Sequence, residues 1–441
     1  MSRLGCARLR RLLLAAVSLA LVALAVAPSA LAAQDPGPEL AAKVGFPVEP
    51  GVWRLDGIDP TLPLDDLEPL RTIIGSKVTV VGLGESIHTS GGYYEAKHRL
   101  FRFLVERMGF RAFAFETPWL AAETAEPYVQ TCEGDPNVAS RGFFGVWRST
   151  ELSALLRWMC EWNAGHPNPK DRVHVFAFDI QGQARPDVQA LQEFLVRVGR
   201  DPEAEPWAGL ERCFFVEGVF NFSLRAPEPE ATVCDASVQA VEGLFAANAR
   251  KFGRGAGKVE FEWAKLRLAG LRAWVDEMIY NNSDPQRSFG ARDRGMATLL
   301  LGIRKLRYPK AKVAVWAHNG HITRDPEAFN WPSMGSFLAA DLPGKYAVVG
   351  LVSHAAAIDW PPIGCGVHDT PGPGSVEELL HGFGEPALLV DLRFPGTSTP
   401  LLEPGRSYEL NNTDMVPARA FDVLVFLDRS HKMTPLQWRP C

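Results

Sequence analysis

Lys77-Val78-Thr79-Val80-Val81-Gly82-Leu83-Gly84-Glu85-Ser86-Ile87-His88 decides the fold. Its first half is apolar without alternation, the pattern of a strand covered on both faces. Its second half turns through two glycines and delivers an acid and an imidazole. Glycine allows the sharp turn that ends such a strand. In open α/β sheets, ligands bind beyond the carboxyl ends of the strands.

The same form recurs along the chain. Ala112–Phe115, His174–Phe178, Val313–Ala317, Ala347–Leu351, Ala387–Val390 and Val423–Leu427 are short continuous apolar runs, each read as a buried strand. Helical periodicity fills the gaps. Leu100, Phe101, Leu104, Val105 and Met108 share one face, and Gly109 stops that helix. Leu152, Leu155, Leu156 and Met159 form a second stripe, and Val188, Leu191, Leu195 and Val198 a third. The alternation predicts an α/β fold with a largely parallel central sheet flanked by helices. Residues of about 186–310 carry only helical patterns, and they are read as a helical insertion that walls a cleft. Its aromatics Phe214, Phe215, Phe220, Phe222, Trp263 and Trp274 are read either as core or as cleft lining.

The polar residues gather at strand tips. Glu116 follows Phe113-Ala114-Phe115, and a carboxylate at the mouth of a buried strand needs a partner or a task. Asp179 follows Phe176-Ala177-Phe178, where capping the next helix is an equal alternative. Val315-Trp316-Ala317 runs into His318-Asn319-Gly320-His321. Acids and imidazoles so placed suit general acid–base chemistry. Glu85, His88, Glu116, His318 and His321 would also make a zinc or manganese site, although no H-E-x-x-H helix is present.

The N-terminus and the composition bound the rest. Arg3, Arg8, Arg10 and Arg11, the apolar run Leu12–Ala27 and Ala30-Leu31-Ala32 form a secretory signal pattern over residues 1–32. A Pro-rich exposed lead-in, 33–50, follows, and 51–441 is read as one catalytic domain. Removing the leader takes four arginines from 46 basic residues, leaving 42 against 51 acidic ones, a net of −9. That balance argues against nucleic-acid binding. No later segment is long and apolar enough to span a bilayer, so a protein without a membrane span is expected, secreted or periplasmic and monomeric. Six cysteines remain, an even number that favours disulfides in an exported chain. Cys132–Cys160, Cys213–Cys234 and Cys365–Cys441 are the favoured pairs.

The motifs together resemble the erythromycin esterase family. Gly82–His88, Lys97-His98-Arg99-Leu100, Phe113–Trp119, Trp316–His321, Met334-Gly335-Ser336, Phe421-Asp422 and Phe426-Leu427-Asp428 match its elements in order, over residues of about 75–430. The resemblance implies a hydrolase without a G-x-S-x-G nucleophile and without a cofactor. In it a histidine activates water to attack a small-molecule ester or lactone. The matching motif makes His88 that base. It gives supporting roles to Glu85, Glu116, His318 and His321: Glu85 or Glu116 would orient and charge the imidazole, and His318 or His321 would stabilise an oxyanion or protonate the leaving alcohol. Lys97 stands where the family often has Arg, keeping the charge but not the planar fork. Lys97, Asp179 and Asn319 are read as substrate-binding. A metal-dependent hydrolase on the same residues, or a non-catalytic binding protein on the same scaffold, are the alternatives.

Overall fold

A computed structural model describes residues 48–437 except 183, 202, 205, 211–227, 282, 361–363, 370–371, 397–405 and 409–412. The expected leader and nearly all of the lead-in, and with them Phe214, Phe215, Phe220, Phe222, Cys213 and Cys441, lie outside the described residues. The strands are β1 (Val52–Arg54), β2 (Val80–Leu83), β3 (Phe110–Pro118), β4 (His174–Asp179), β5 (Lys312–Trp316), β6 (Tyr346–Trp360), β7 (Gly364–Asp369), β8 (Ala387–Asp391), β9 (Arg406–Tyr408), β10 (Thr413–Met415) and β11 (Val423–Ser430). Nine of them form one sheet in the order β1-β8-β11-β6-β2-β5-β3-β4, with β7 beside β6.

From β11 through β6, β2, β5 and β3 to β4 every pairing is parallel. The central sheet is thus largely parallel. The exceptions are β8, at one edge, which runs antiparallel to both β11 and β1, and β7, which runs antiparallel to β6. Ala387–Val390 reads like its neighbours in sequence because a continuous apolar run reports burial on both faces, not direction.

Alternate residues of each strand enter opposite cores. Val80, Ala112, Ala114, Phe176, Phe178, Val313 and Val315 pack on one side, against the helices Ala184–Arg197, Glu228–Gly255, Lys258–Tyr280 and Pro285–Arg307. Val81, Phe113, Phe115, Val175, Ala177, Ala314 and Trp316 pack on the other, against Pro69–Ile74, Gly91–Met108, Ala122–Thr131 and Thr150–Gly165. Trp274 is buried in the first of these cores. Trp263 stacks on Trp119, with ring centroids 5.8 Å apart.

Two helix boundaries matter for the site. Gly109, at φ 74°, ends Gly91–Met108 with its N–H on the Leu104 carbonyl. Asp284 caps the N-terminus of Pro285–Arg307 through the Arg287 N–H, and Pro285 occupies the first turn. Cys132 and Cys160 form a disulfide that ties the end of one helix to the middle of another, with Cα atoms 5.3 Å apart. Cys234 and Cys365 are also disulfide-bonded. Among the described residues no helix is long and apolar enough to cross a membrane.

Candidate active site

Parallel pairing sets the polar residues on one rim. Leu83 pairs with Trp316, and Trp316 with Phe115. Glu85, His318 and Glu116 therefore leave three adjacent strands at nearly one level, and Asp179 ends the next. Gly84 is required between them: a Cβ there would lie 1.8 Å from Asn319 Oδ1.

His88 and its acid form one half of the site. His88 Nδ1 lies 2.7 Å from Glu85 Oε1. The fully buried Lys97 donates to the other carboxylate oxygen at 2.8 Å and sits 4.5 Å over the Trp316 ring. Burial pulls the Lys97 ammonium down to about 8, against the opposing pull of Glu85. At neutral pH it still carries its charge and compensates the buried carboxylate. The His88 ring makes edge-to-face contacts with Trp147 at 4.7 Å and His318 at 5.3 Å. With Nδ1–H committed to Glu85, its Nε2 lone pair is the one available to the cavity. Thr89, the next residue, holds a left-handed φ of 66°. Its N–H bonds the Tyr94 hydroxyl at 2.9 Å. Such a non-glycine conformation costs of order 1–3 kcal/mol and persists only where the surroundings enforce it.

The other half is a buried charge cluster. Arg292 Nη2 reaches Asp179 Oδ2 at 2.6 Å and Glu116 Oε1 at 3.1 Å, and its Nε faces Asp179 Oδ1 at 3.3 Å. His321 Nδ1 lies 2.5 Å from Asp293 Oδ1, and its Nε2 lies 3.3 Å from Glu116 Oε1. Burial opposes the charge on His321, but Asp293 and Glu116 overcome it and push the imidazole up to about 10. Burial likewise opposes the charge on Glu116, yet His321 and Arg292 hold that carboxyl well below its usual range. Asp293 moves the other way, raised by burial. The His321–Asp293 pair thus shares one proton. Glu116 on the far nitrogen, and the Trp331 N–H donated to Asp293 at 2.7 Å, keep that proton on the ring. Arg292 Nη1 stands 3.2 Å from His321 Nε2 and, among the described residues, has no carboxylate partner.

His318 is different in kind. Its Nδ1 accepts the Gly320 N–H at 3.0 Å, and its Nε2–H donates to the Ser86 carbonyl at 3.0 Å. Burial, with His88 and His321 nearby, pulls it down to about 3. Both ring nitrogens are spent on backbone, so this neutral ring braces the His88 loop. Its own N–H is held by Glu116 Oε2 at 2.8 Å.

These groups face a cavity of about 520 Å³ lined by His88, Glu116, Gln181, Arg292, His318 and His321 under an aromatic wall of Phe144, Trp147, Phe289 and Trp331. Glu85, expected to act with His88, supports it from behind the wall. Lys97, Asp179 and Asn319, expected to touch substrate, also lie one layer back and are fully buried. Lys97 and Asp179 compensate charges there. Asn319 bonds Leu351, donating to its carbonyl at 2.8 Å. As ligands, the five rim residues are already committed to one another and to backbone. Among the described residues, the His, Cys, Asp and Glu grouping whose ligand atoms lie within 4.8 Å of one another is His354, His381 and Asp428.

Arg292 and Asp293 were not among the sequence candidates. A signal existed: they fall on the stripe continued by Met296, Leu299, Leu300 and Ile303, where a charged pair inside a buried face demands partners.

A profile of erythromycin esterases matches residues 105–430. The chain belongs to the erythromycin esterase family. It is 25% identical to the Escherichia coli erythromycin esterase type II over 357 residues, 73% of this chain and 82% of that protein. Its fold is similar to the crystal structure of a Bacillus cereus protein, with a TM-score of 0.73 at 22% identity, covering 87% of this chain and 96% of the other. It is also similar to an erythromycin esterase EreC mutant in an open conformation, with a TM-score of 0.67 at 16% identity, covering 85% and 96%. Membership in this family makes the chain a hydrolase of the esterase kind with a small-molecule substrate.

Proposed function

We propose that this member of the erythromycin esterase family cleaves an ester or lactone by direct attack of water, with His88 as general base and no covalent acyl-enzyme. The observation that carries this reading is the pairing of His88 Nδ1 with a buried, lysine-compensated Glu85, which leaves one imidazole nitrogen facing the cavity. Water gives a proton to His88 Nε2 as its oxygen adds to the carbonyl carbon. The charge that develops on the carbonyl oxygen is met by Arg292 Nη1 and the His321 cation. Two cations 3.2 Å apart repel in the resting state and attract an oxyanion placed against them. That is stabilisation arranged in advance for the transition state. Collapse expels the alkoxide, which takes the proton that His88 received from water.

The aromatic wall of Phe144, Trp147, Phe289 and Trp331 favours a bulky, apolar substrate. The leader pattern and the Cys132–Cys160 disulfide support export to an oxidising compartment, with the protein acting outside the cytoplasm. Purified mature protein should be screened against esters, lactones and macrolides, each with and without chelator. Turnover that survives chelation supports the reading. Turnover lost on chelation and restored by zinc or manganese would replace it with metal catalysis, and binding without turnover would replace it with a non-catalytic role.

A further inference from the structure

We propose a second, non-catalytic site: a surface site for a late divalent transition metal, zinc in the first instance, formed by His354, His381 and Asp428 with Glu378 beside them. Their ligand atoms lie within 4.8 Å of one another. None of these residues lines the catalytic cavity.

Three separate elements supply the ligands, and the sheet fixes two of them. Ser353 pairs with Leu427 and Ala355 with Arg429, so His354 and Asp428 are neighbours across the parallel β6·β11 ladder. His381 comes from the end of the helix Val376–His381. The two imidazoles stack with centroids 3.9 Å apart and planes 9° apart. Each gives one ring nitrogen to a carboxylate: His381 Nδ1 to Asp428 Oδ1 at 2.5 Å, and His354 Nε2 to Glu378 Oε2 at 3.1 Å. Each therefore keeps a second nitrogen.

Parallel rings cannot aim two lone pairs at one point. His381 has to turn about its Cβ–Cγ bond to bind, giving up its stack on His354, and its side chain is 45% exposed. Two imidazoles and a carboxylate are the donor set of zinc and its late first-row neighbours, whereas calcium and magnesium require oxygen cages. The ion would tie the helix to two strands, so it should stabilise the fold without entering the reaction.

The test uses the untagged mature protein, stripped with chelator and then dialysed. Titration calorimetry with zinc chloride should show one equivalent bound, and zinc should raise the unfolding temperature. Cobalt(II) should give a visible d–d band from tetrahedral coordination. His381→Ala and the more conservative Asp428→Asn should each weaken binding at least tenfold and abolish both the thermal shift and the band. Either variant suffices if the other proves unstable. Calcium and magnesium should not compete. No zinc uptake, or uptake equal in wild type and both variants, would overturn the proposal.

Discussion

Replacing Asp293 by Asn isolates the charge that keeps His321 protonated. The substitution preserves size: His321 Nδ1 and Trp331 Nε1 lie 2.5 and 2.7 Å from different carboxylate oxygens, so with the amide oxygen turned to His321 that bond is kept and the amide NH2 faces Trp331. Toward the imidazole the bond survives. What it removes is one negative charge. With charge centres about 4 Å apart and an effective dielectric near 20, the lost attraction is about 4 kcal/mol, or about three pH units. His321 holds its proton to about 10 in the native protein, so in the variant the proton should be lost near pH 7, by that same estimate. The sign follows from the raised value. The stabilisation from His321 is fully present below its ordinary 6.5 and is lost as pH rises through about 10. In the variant that window should nearly close. If the cation serves the oxyanion, kcat/KM at pH 6 should stay near wild type, while at pH 8.5 it should fall about thirtyfold. The assay is a pH–rate profile on any ester the protein turns over, with the unfolding midpoint recorded at each pH. An alkaline limb unmoved by the substitution, or an equal loss at every pH, would refute the reasoning.

Lys97→Met should cost about 3–5 kcal/mol in urea unfolding, because it strands the buried Glu85 carboxylate; a loss below 1 kcal/mol would show that Glu85 needs no countercharge. Replacing Cys132 and Cys160 together by Ser should cost about 3–4 kcal/mol for a loop of this length, with unchanged kcat; an unaltered midpoint would argue that the bridge constrains nothing. Gly84→Ala forces a methyl onto Asn319 and should cost about 1–3 kcal/mol through overpacking. Its kcat should fall further than its stability implies, since Asn319 begins the turn that carries His321. Full activity in that variant would mean the rim tolerates movement.

The sheet and the rim were legible because both depend on local signals. Unbroken apolar runs mark strands buried on both faces, and in a parallel sheet their polar successors must share one edge. Glu85, His88, Glu116, His318 and His321 meet there for that reason. The division of labour among them was not legible, since it depends on which nitrogen or oxygen is already taken. His318 reads like His321 in sequence, yet the Gly320 N–H and the Ser86 carbonyl consume its ring. Lys97, Asp179 and Asn319 carry reactive groups at suggestive positions, but depth below a cavity wall leaves no trace in spacing. Arg292 and Asp293 arrive from a helix more than a hundred residues after Asp179, and only their place on an apolar stripe hints at them. The antiparallel turn of β8 has no signature in Ala387–Asp391, because strand direction is fixed by connections and not by composition.

The most direct measurement is kcat for His88→Ala on a substrate the native protein hydrolyses, with the unfolding midpoint measured alongside. Loss of a general base predicts a fall of about 10²–10⁴ in a protein that still folds, since His88 is partly exposed and contributes little to the core. A folded variant that keeps its kcat would contradict the account.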